Sequence, residues 1–265
     1  FFLLIKLRKK RVDVCVEFDH SVIPHAIFRI MAIKPKKVIS VFKEGRYGVA
    51  GHELELYDFY TDEIKDQHLC EICLSTLKPF GVKPKSMQYD LFITNSQEKI
   101  AKEFLKNYLD KKIVGVNLEG AVKGKKIDFF KFKEIIEGLH LKNNSIQIIV
   151  LTSPKNYNSI RNKILDLNFE YVVVSYLTDN ILDAAAIIKH MDLVITPDTS
   201  IVHIASAFNV PIVSIHEDNL KSYKLFAPKS DNFKTVFSEF SDKLEGYNVG
   251  KIINKSIELL DIDES

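Results

Sequence analysis

Cysteine is scarce in this 265-residue chain, where Cys15, Cys70 and Cys73 are the only three. Three unevenly spaced thiols cannot build the disulfide framework of a small secreted domain, and they fit a reducing cytoplasm. Cys70-x-x-Cys73 with His68 nearby invites a zinc or redox reading. No second ligand pair accompanies it, and Cys70–Leu77 has the apolar spacing of a helix, so an ordinary helix is the favoured reading. An excess of charge of one sign is also missing. The 37 basic residues against 35 acidic ones leave a net charge of +2, which argues against the strongly basic footprint of a nucleic-acid binder. No apolar run approaches the roughly 20 residues of a membrane span. Phe1-Phe2-Leu3-Leu4-Ile5 does not read as a signal peptide either, because the charges of Lys6–Arg11 follow it instead of preceding it.

What the chain does have is apolar residues in strand-like and helix-like spacing. A hydrophobic content of 46% over 265 residues supports two cores of ordinary domain size. Between residues 12 and 109 the pattern is uneven. Strands are expected at 12–17, 37–42 and 91–94, and helices at 24–33, 63–80 and 96–109. Asn107–Lys112 reads as a hinge. Beyond it, apolar strands at Ile113–Leu118, Ile146–Leu151, Tyr171–Ser175, Leu193–Thr196 and Ile212–Ile215 alternate with helical segments, the pattern of a doubly wound parallel sheet. Phe129, Phe132, Ile136 and Leu139 recur every three or four residues and predict one helix face against that sheet. A last helix is expected at 249–260.

Chemistry-bearing residues collect where strands end. Pro197-Asp198-Thr199-Ser200-Ile201-Val202-His203 follows one strand and opens a helix, placing a carboxylate, two hydroxyls and an imidazole at a helix N-terminus, where anions are favoured. The same residues also suit a plain helix cap, with Asp198 favoured by the helix dipole. His203 lies one turn on from Thr199 and suits either a ligand or packing against the strand. Gly120-Ala121-Val122-Lys123-Gly124-Lys125-Lys126 follows another strand. Its backbone suits close approach to a phosphate, and Lys125 or Lys126 can reach over it; a solvated lysine loop is the alternative. Thr152 and Thr178 end two further strands as polar groups. Glu17-Phe18-Asp19-His20 ends the first strand and offers Asp19 and His20 as candidate binding groups or, equally, a loop cap.

Asp198-Thr199-x-x-x-His203-x-Ala205-x-Ala207-x-x-x-Pro211, together with Ile113-Val114-Gly115-Val116-Asn117-Leu118-Glu119-Gly120-Ala121 and the lysine-rich loop after it, resembles glycosyltransferase family 9, the lipopolysaccharide heptosyltransferases. The resemblance is specific over about 110–260 and loose before that. It implies a GT-B-like α/β fold in which two Rossmann-like domains with parallel sheets face a cleft. The expected division is a partial acceptor-side domain at 1–109, a nucleotide-sugar domain at 110–248, and a C-terminal helix at 249–265 packing back towards the first domain. It implies inverting, metal-independent transfer from ADP-heptose or a related nucleotide sugar to a lipopolysaccharide core or lipid A-linked acceptor, with no cofactor beyond that donor. Partners are then the nucleotide sugar and the acceptor, without nucleic acid, and the setting is the cytoplasm, with peripheral contact at the inner face of the inner membrane.

By family position the donor-binding residues are Gly120, Ala121, Lys125, Lys126, Thr152, Thr178, Asp198, Thr199, Ser200 and His203, with Asp19 and His20 on the acceptor side. Lysines and helix ends can take the charge of a departing diphosphate, and the chain has no Asp-x-Asp pair in a suitable loop. Ser200 departs from the family's usual glycine, and Lys155 and Asn156 replace the acidic residue that often holds the ribose. The family's catalytic aspartate is expected upstream of Phe1, so no residue of this chain inherits that role. The competing reading from a different class is a non-catalytic nucleotide-sugar-binding or scaffolding protein that lacks the base. A nucleotide-sugar epimerase is a third, and it would need further acid and base residues.

Overall fold

Short apolar strands and amphipathic helices alternate through the computed structural model of the chain, which describes residues 2–63, 66–120 and 124–261. The chain divides into two units, Phe1–Met87 and Gln88–Ser265. In the first, α1 (Phe2–Lys9), β1 (Val14–Glu17), α2 (Pro24–Ile33), β2 (Lys37–Ser40), β3 (Phe59–Tyr60) and α3 (Leu69–Ser75) build a three-stranded parallel sheet of order β1-β2-β3. Cys15 pairs with Val38 and Glu17 with Ser40, so both strands end their polar residues at one edge. Ile30, Val38 and Tyr57 form the centre of its small core. Cys70 and Cys73 lie on α3 as free thiols, and His68 caps that helix by accepting the Cys70 N–H at Nδ1, 3.1 Å. The helix expected at 63–80 is thus confined to Leu69–Ser75, followed by a 3₁₀ turn at Lys78–Phe80.

The second unit contains α4 (Asn95–Leu105), β4 (Lys112–Asn117), α5 (Phe129–Lys142), β5 (Ile146–Leu151), α6 (Tyr157–Leu167), β6 (Val172–Val174), α7 (Ile181–Ile188), β7 (Leu193–Pro197), α8 (Ser200–Ala207), β8 (Ile212–His216), α9 (Leu220–Phe226), β9 (Phe233–Phe237) and α10 (Val249–Leu259). Its six strands are all parallel in the order β6-β5-β4-β7-β8-β9. Consecutive strand residues point to opposite faces, and both faces are covered. Val114, Val116, Ile148, Val150 and Ile195 pack with Phe132, Ile136 and Leu139 of α5 and Ile252 and Ile257 of α10. On the other face Ile113, Ile149 and Val194 pack with Ala101 and Leu105 of α4, Ala185–Ile188 of α7 and Ile204 and Ala205 of α8. The predicted α/β class with parallel sheets is what forms, and no described helix is long and apolar enough to cross a membrane.

Two points differ from the sequence expectation, the domain division and the strand expected at 91–94. The division falls at Met87/Gln88, not at 109/110, because Ala101 and Leu105 of α4 are buried against α7 in the C-terminal core. The C-terminal helix contributes Ile252, Ile257 and the adjoining Leu260 to the core of the second unit. Residues 91–94 are extended but unpaired, and Leu91 and Ile93 pack on the α4/α7/α8 face.

Candidate active site

The strand order of the second unit reverses direction between β4 and β7, strands 1 and 4 of the 3-2-1-4-5-6 pattern. The carboxyl ends flanking such a reversal open a crevice that the sheet itself cannot fill. The segments after β4, β7 and β8 all end there. Asn117 closes β4 with a buried amide whose Nδ2 donates to Thr196 Oγ1 (3.0 Å), Thr199 Oγ1 (3.2 Å) and the Glu119 carbonyl (2.9 Å). It therefore ties the β4 loop to the β7–α8 turn. Thr199 caps α8, its Oγ1 accepting the Ile201 N–H at 3.3 Å, so the cap reading of this residue holds alongside any ligand role.

Lys125 brings the two motifs together. Its Nζ lies 2.9 Å from Asp198 Oδ2 and 3.1 Å from Glu217 Oε2, with all three side chains largely withdrawn from solvent. Burial works against the ammonium, but the two carboxylates outweigh it and hold its pKa above the usual lysine range. The loop that delivers Lys125 crosses directly over Gly120, where a side chain would collide with the Lys125 backbone carbonyl. The sequence reading has Gly120 baring its backbone to a phosphate; its open side is taken by this crossing. Ile127 N–H to the Leu118 carbonyl, 3.1 Å, anchors the far end of the loop.

Two imidazoles flank the cluster. His216, at the end of β8, is 3% exposed, with Nδ1 4.0 Å from Asp198 Oδ1 and its ring edge-on to Tyr223. Burial, reinforced by Lys125 and His203 and opposed by Asp198, pushes its pKa down to about 4. His203, on α8, is half-buried; burial lowers it against the pull of Asp198. The Tyr89 hydroxyl meets His203 Nδ1 at 3.1 Å.

The remaining predicted residues separate into groups. Ser200 is exposed at the first position of α8, and Lys126 is exposed beside the cluster. Thr152 donates to Glu119 Oε2 (3.0 Å), which also accepts the Ser153 N–H (2.5 Å), while Asn156 Nδ2 reaches Glu119 Oε1. Glu119, from the loop after β4, thus brings a carboxylate to the loop after β5. Thr178 is buried after β6 and joins none of these bonds. Ala121 lies outside the described residues. In the first unit Asp19 is exposed, its N–H bonded to Glu17 Oε1 at 2.7 Å, and its carbonyl takes the Lys43 ammonium. Lys43 is paired with Glu17 while almost wholly buried, and burial pulls its pKa down to about 8. His20 follows, with Nε2 buried and without a hydrogen-bond partner among the described residues.

Asn117, Glu119, Glu217, His216, Tyr89 and Lys43 do not stand out as site residues in the sequence reading. For four of them a signal exists: Asn117-Leu118-Glu119 and His216-Glu217 are polar residues closing otherwise apolar strands. Among the described residues no three His, Cys, Asp or Glu side chains are grouped to hold a metal ion.

The glycosyltransferase family 9 (heptosyltransferase) model matches residues 3–245. Of curated proteins, one from Escherichia coli (strain K12), provisionally named lipopolysaccharide heptosyltransferase 4, is 28% identical over 166 residues, 62% of this chain and 43% of that protein. The match therefore spans less than half the length of that relative. Of solved structures, a glycosyl transferase family 9 protein from Veillonella parvula DSM 2008 superposes with a TM-score of 0.77 at 14% identity, covering 99% of this chain and 78% of the other. An E. coli structure described as ADP-heptose lps heptosyltransferase II gives 0.73 at 15% identity, covering 100% and 81%. At such identities these two structures support the fold.

Proposed function

Because the chain belongs to glycosyltransferase family 9, the heptosyltransferases, we propose that it transfers a heptose or related sugar from a nucleotide-sugar donor, ADP-heptose or a close analogue, to a lipopolysaccharide core or lipid A-linked acceptor. The observation that carries this reading is the junction of Lys125, Asp198 and Glu217 beside the N-terminus of α8 at the sheet's reversal point. A departing nucleoside diphosphate develops negative charge on its bridging oxygen. The Lys125 ammonium and the peptide dipoles of α8 are fixed where that charge can be taken up, without reorganisation at the moment of bond breaking.

Asp198 and Glu217 add acceptors that suit sugar hydroxyls, and Thr199 and Ser200 add hydroxyl donors. Glu119, which gathers Thr152, Ser153 and Asn156, is assigned in this reading to the ribose diol. Gly120 serves by admitting the Lys125 crossing, and Asp19 and His20 are assigned to the acceptor side. Inversion at the anomeric carbon, and leaving-group stabilisation by lysine and helix end in place of a metal or cofactor, belong to the same proposal. The group that takes the acceptor's proton is unassigned in this chain.

Calorimetry with ADP tests the donor site directly. Lys125→Met is expected to weaken ADP by about 1.5 to 3 kcal/mol, the worth of a hydrogen bond to a charged group. Equal affinities would refute the assignment. Turnover of a panel of nucleotide sugars, followed by mass spectrometry with a lipopolysaccharide acceptor, separates the transferase from a protein that only binds: tight ADP binding without any transfer would favour the latter.

A further inference from the structure

Tyr89 precedes the first helix of the second unit, on the extended segment that Leu91 and Ile93 pin to the α4/α7/α8 face. That anchoring sets its ring edge-on to His203, with centroids 5.3 Å apart and planes at 62°, and its hydroxyl 3.1 Å from Nδ1. Phe226 stands near the same imidazole, 6.3 Å between centroids. The ring is thus flanked by two aromatic groups and hydrogen-bonded at one nitrogen. The other nitrogen, Nε2, is in no hydrogen bond among the described residues.

A neutral imidazole has one donor and one acceptor nitrogen, and the bond made by one decides the role of the other. A phenol O–H is a stronger donor than its oxygen is an acceptor, while an unprotonated imidazole nitrogen is a strong acceptor. The favourable polarity therefore runs from Tyr89 to Nδ1.

We propose that Tyr89 is a positioning residue that locks His203 in its Nε2–H tautomer, presenting that N–H as a neutral donor to the phosphoryl oxygens of the bound nucleotide sugar. The assignment rests on the donor-site reading above. Two further groups bear on the ring's protonation: Asp198 from the β7–α8 turn, which favours the charged ring, and His216 from β8, whose own ring feels the charge of His203. Burial outweighs Asp198 and keeps His203 below the ordinary histidine range, so the donor function falls to one tautomer and not to an imidazolium.

The test is ¹⁵N NMR of the histidine side chains in the ligand-free protein, with the His203 signals identified by their loss in His203→Gln. In the parent, Nδ1 is expected to show the shift of an unprotonated ring nitrogen and Nε2 that of a protonated one. Tyr89→Phe should turn this into a mixture of tautomers and weaken ADP about twofold by calorimetry, the inverse of the fraction still carrying the Nε2–H. His203→Ala should lose more, roughly three- to tenfold, and the two substitutions together no more than His203→Ala alone. An unchanged His203 spectrum in Tyr89→Phe, or a protonated Nδ1 in the parent, overturns the role of Tyr89. Full ADP affinity in His203→Ala overturns the role of the Nε2–H. Failure of the parent chain to bind ADP overturns the donor reading instead, and the NMR spectra then still decide whether Tyr89 sets the tautomer.

Discussion

Lys125 separates two carboxylates, and removing its charge should turn the site against itself. With Asp198 Oδ2 at 2.9 Å and Glu217 Oε2 at 3.1 Å from one nitrogen, the two oxygens are at most about 6 Å apart. Two like charges at that distance repel by about 3 kcal/mol at an effective dielectric constant near 20. Lys125→Met keeps the unbranched stem that packs in the loop and deletes only the ammonium. At pH 7.5 the variant should lose about 3 kcal/mol, roughly 6–12 °C in melting temperature for a unit of this size.

The pH dependence carries the sharper signature. In the parent, His216 binds a proton near pH 6.5 when unfolded but only near 4 when folded. The unfolded chain therefore holds more protons between those values, and parent stability should fall by about 3 kcal/mol as the pH drops from 6.5 to 4. In Lys125→Met acidification also relieves the carboxylate repulsion, so the gap between variant and parent should shrink steadily from pH 7.5 to pH 5. The chain has no tryptophan, so calorimetry and far-ultraviolet circular dichroism are the measurements of choice. Equal melting temperatures at pH 7.5, or parallel pH profiles, would show that Lys125 does not hold these carboxylates apart.

In the first unit, Glu17→Ala leaves the Lys43 ammonium buried without its carboxylate and should cost about 3–5 kcal/mol, whereas Glu17→Leu with Lys43→Met should be close to neutral; two calorimetric transitions that respond alike to both variants would refute this. Because burial draws Lys43 down to about 8 against an ordinary 10.5, the unfolded state holds the extra proton between those values, and stability from this group should rise with pH across that window. Gly120→Ala forces the Lys125 carbonyl away from the β4 end, so ADP affinity should drop at least as far as in Lys125→Met while the sheet's circular dichroism is retained; unchanged affinity would show that the loop crossing does not set the lysine.

The parts of this molecule that are legible in its sequence are those fixed by local period. The five strands Ile113–Leu118 through Ile212–Ile215 are predominantly apolar runs because both faces of a parallel sheet are covered, and each forms near its expected bounds. β9 escapes such a reading: it is an edge strand, with Phe233 and Phe237 exposed and only Val236 fully buried, so no clean run or alternation marks it. The domain boundary is hidden for a related reason. α4 has a polar average and a narrow apolar face, and only its contact with α7 assigns it to the second unit. Lys125, Asp198 and Thr199 are legible as strand-end residues. Glu217 also follows a strand end, but its pairing with Lys125 and that of Tyr89 with His203 are not legible, since the partners are far away in sequence and only the strand order β4-β7-β8 and the packing of Leu91 and Ile93 bring them within reach.

That strand order also determines what a diphosphate would gain on arrival. Lys125 already has two carboxylate partners, so exchanging one of them for an oxygen of an intact nucleotide sugar, whose diphosphate carries less charge than free ADP, replaces one charge-assisted bond with another of similar strength. Taken alone, the lysine and its two carboxylates carry a net negative charge, which repels a polyanion at longer range. The balance in favour of binding must then come from groups that make no hydrogen bond to an anion in the ligand-free protein: the N-terminal peptide groups of α8 and Nε2 of His203. Lys125 would contribute most after the glycosidic bond begins to break, when the leaving oxygen becomes a better partner than either carboxylate. An interaction that strengthens along the reaction coordinate in this way lowers the barrier more than it tightens the ground state.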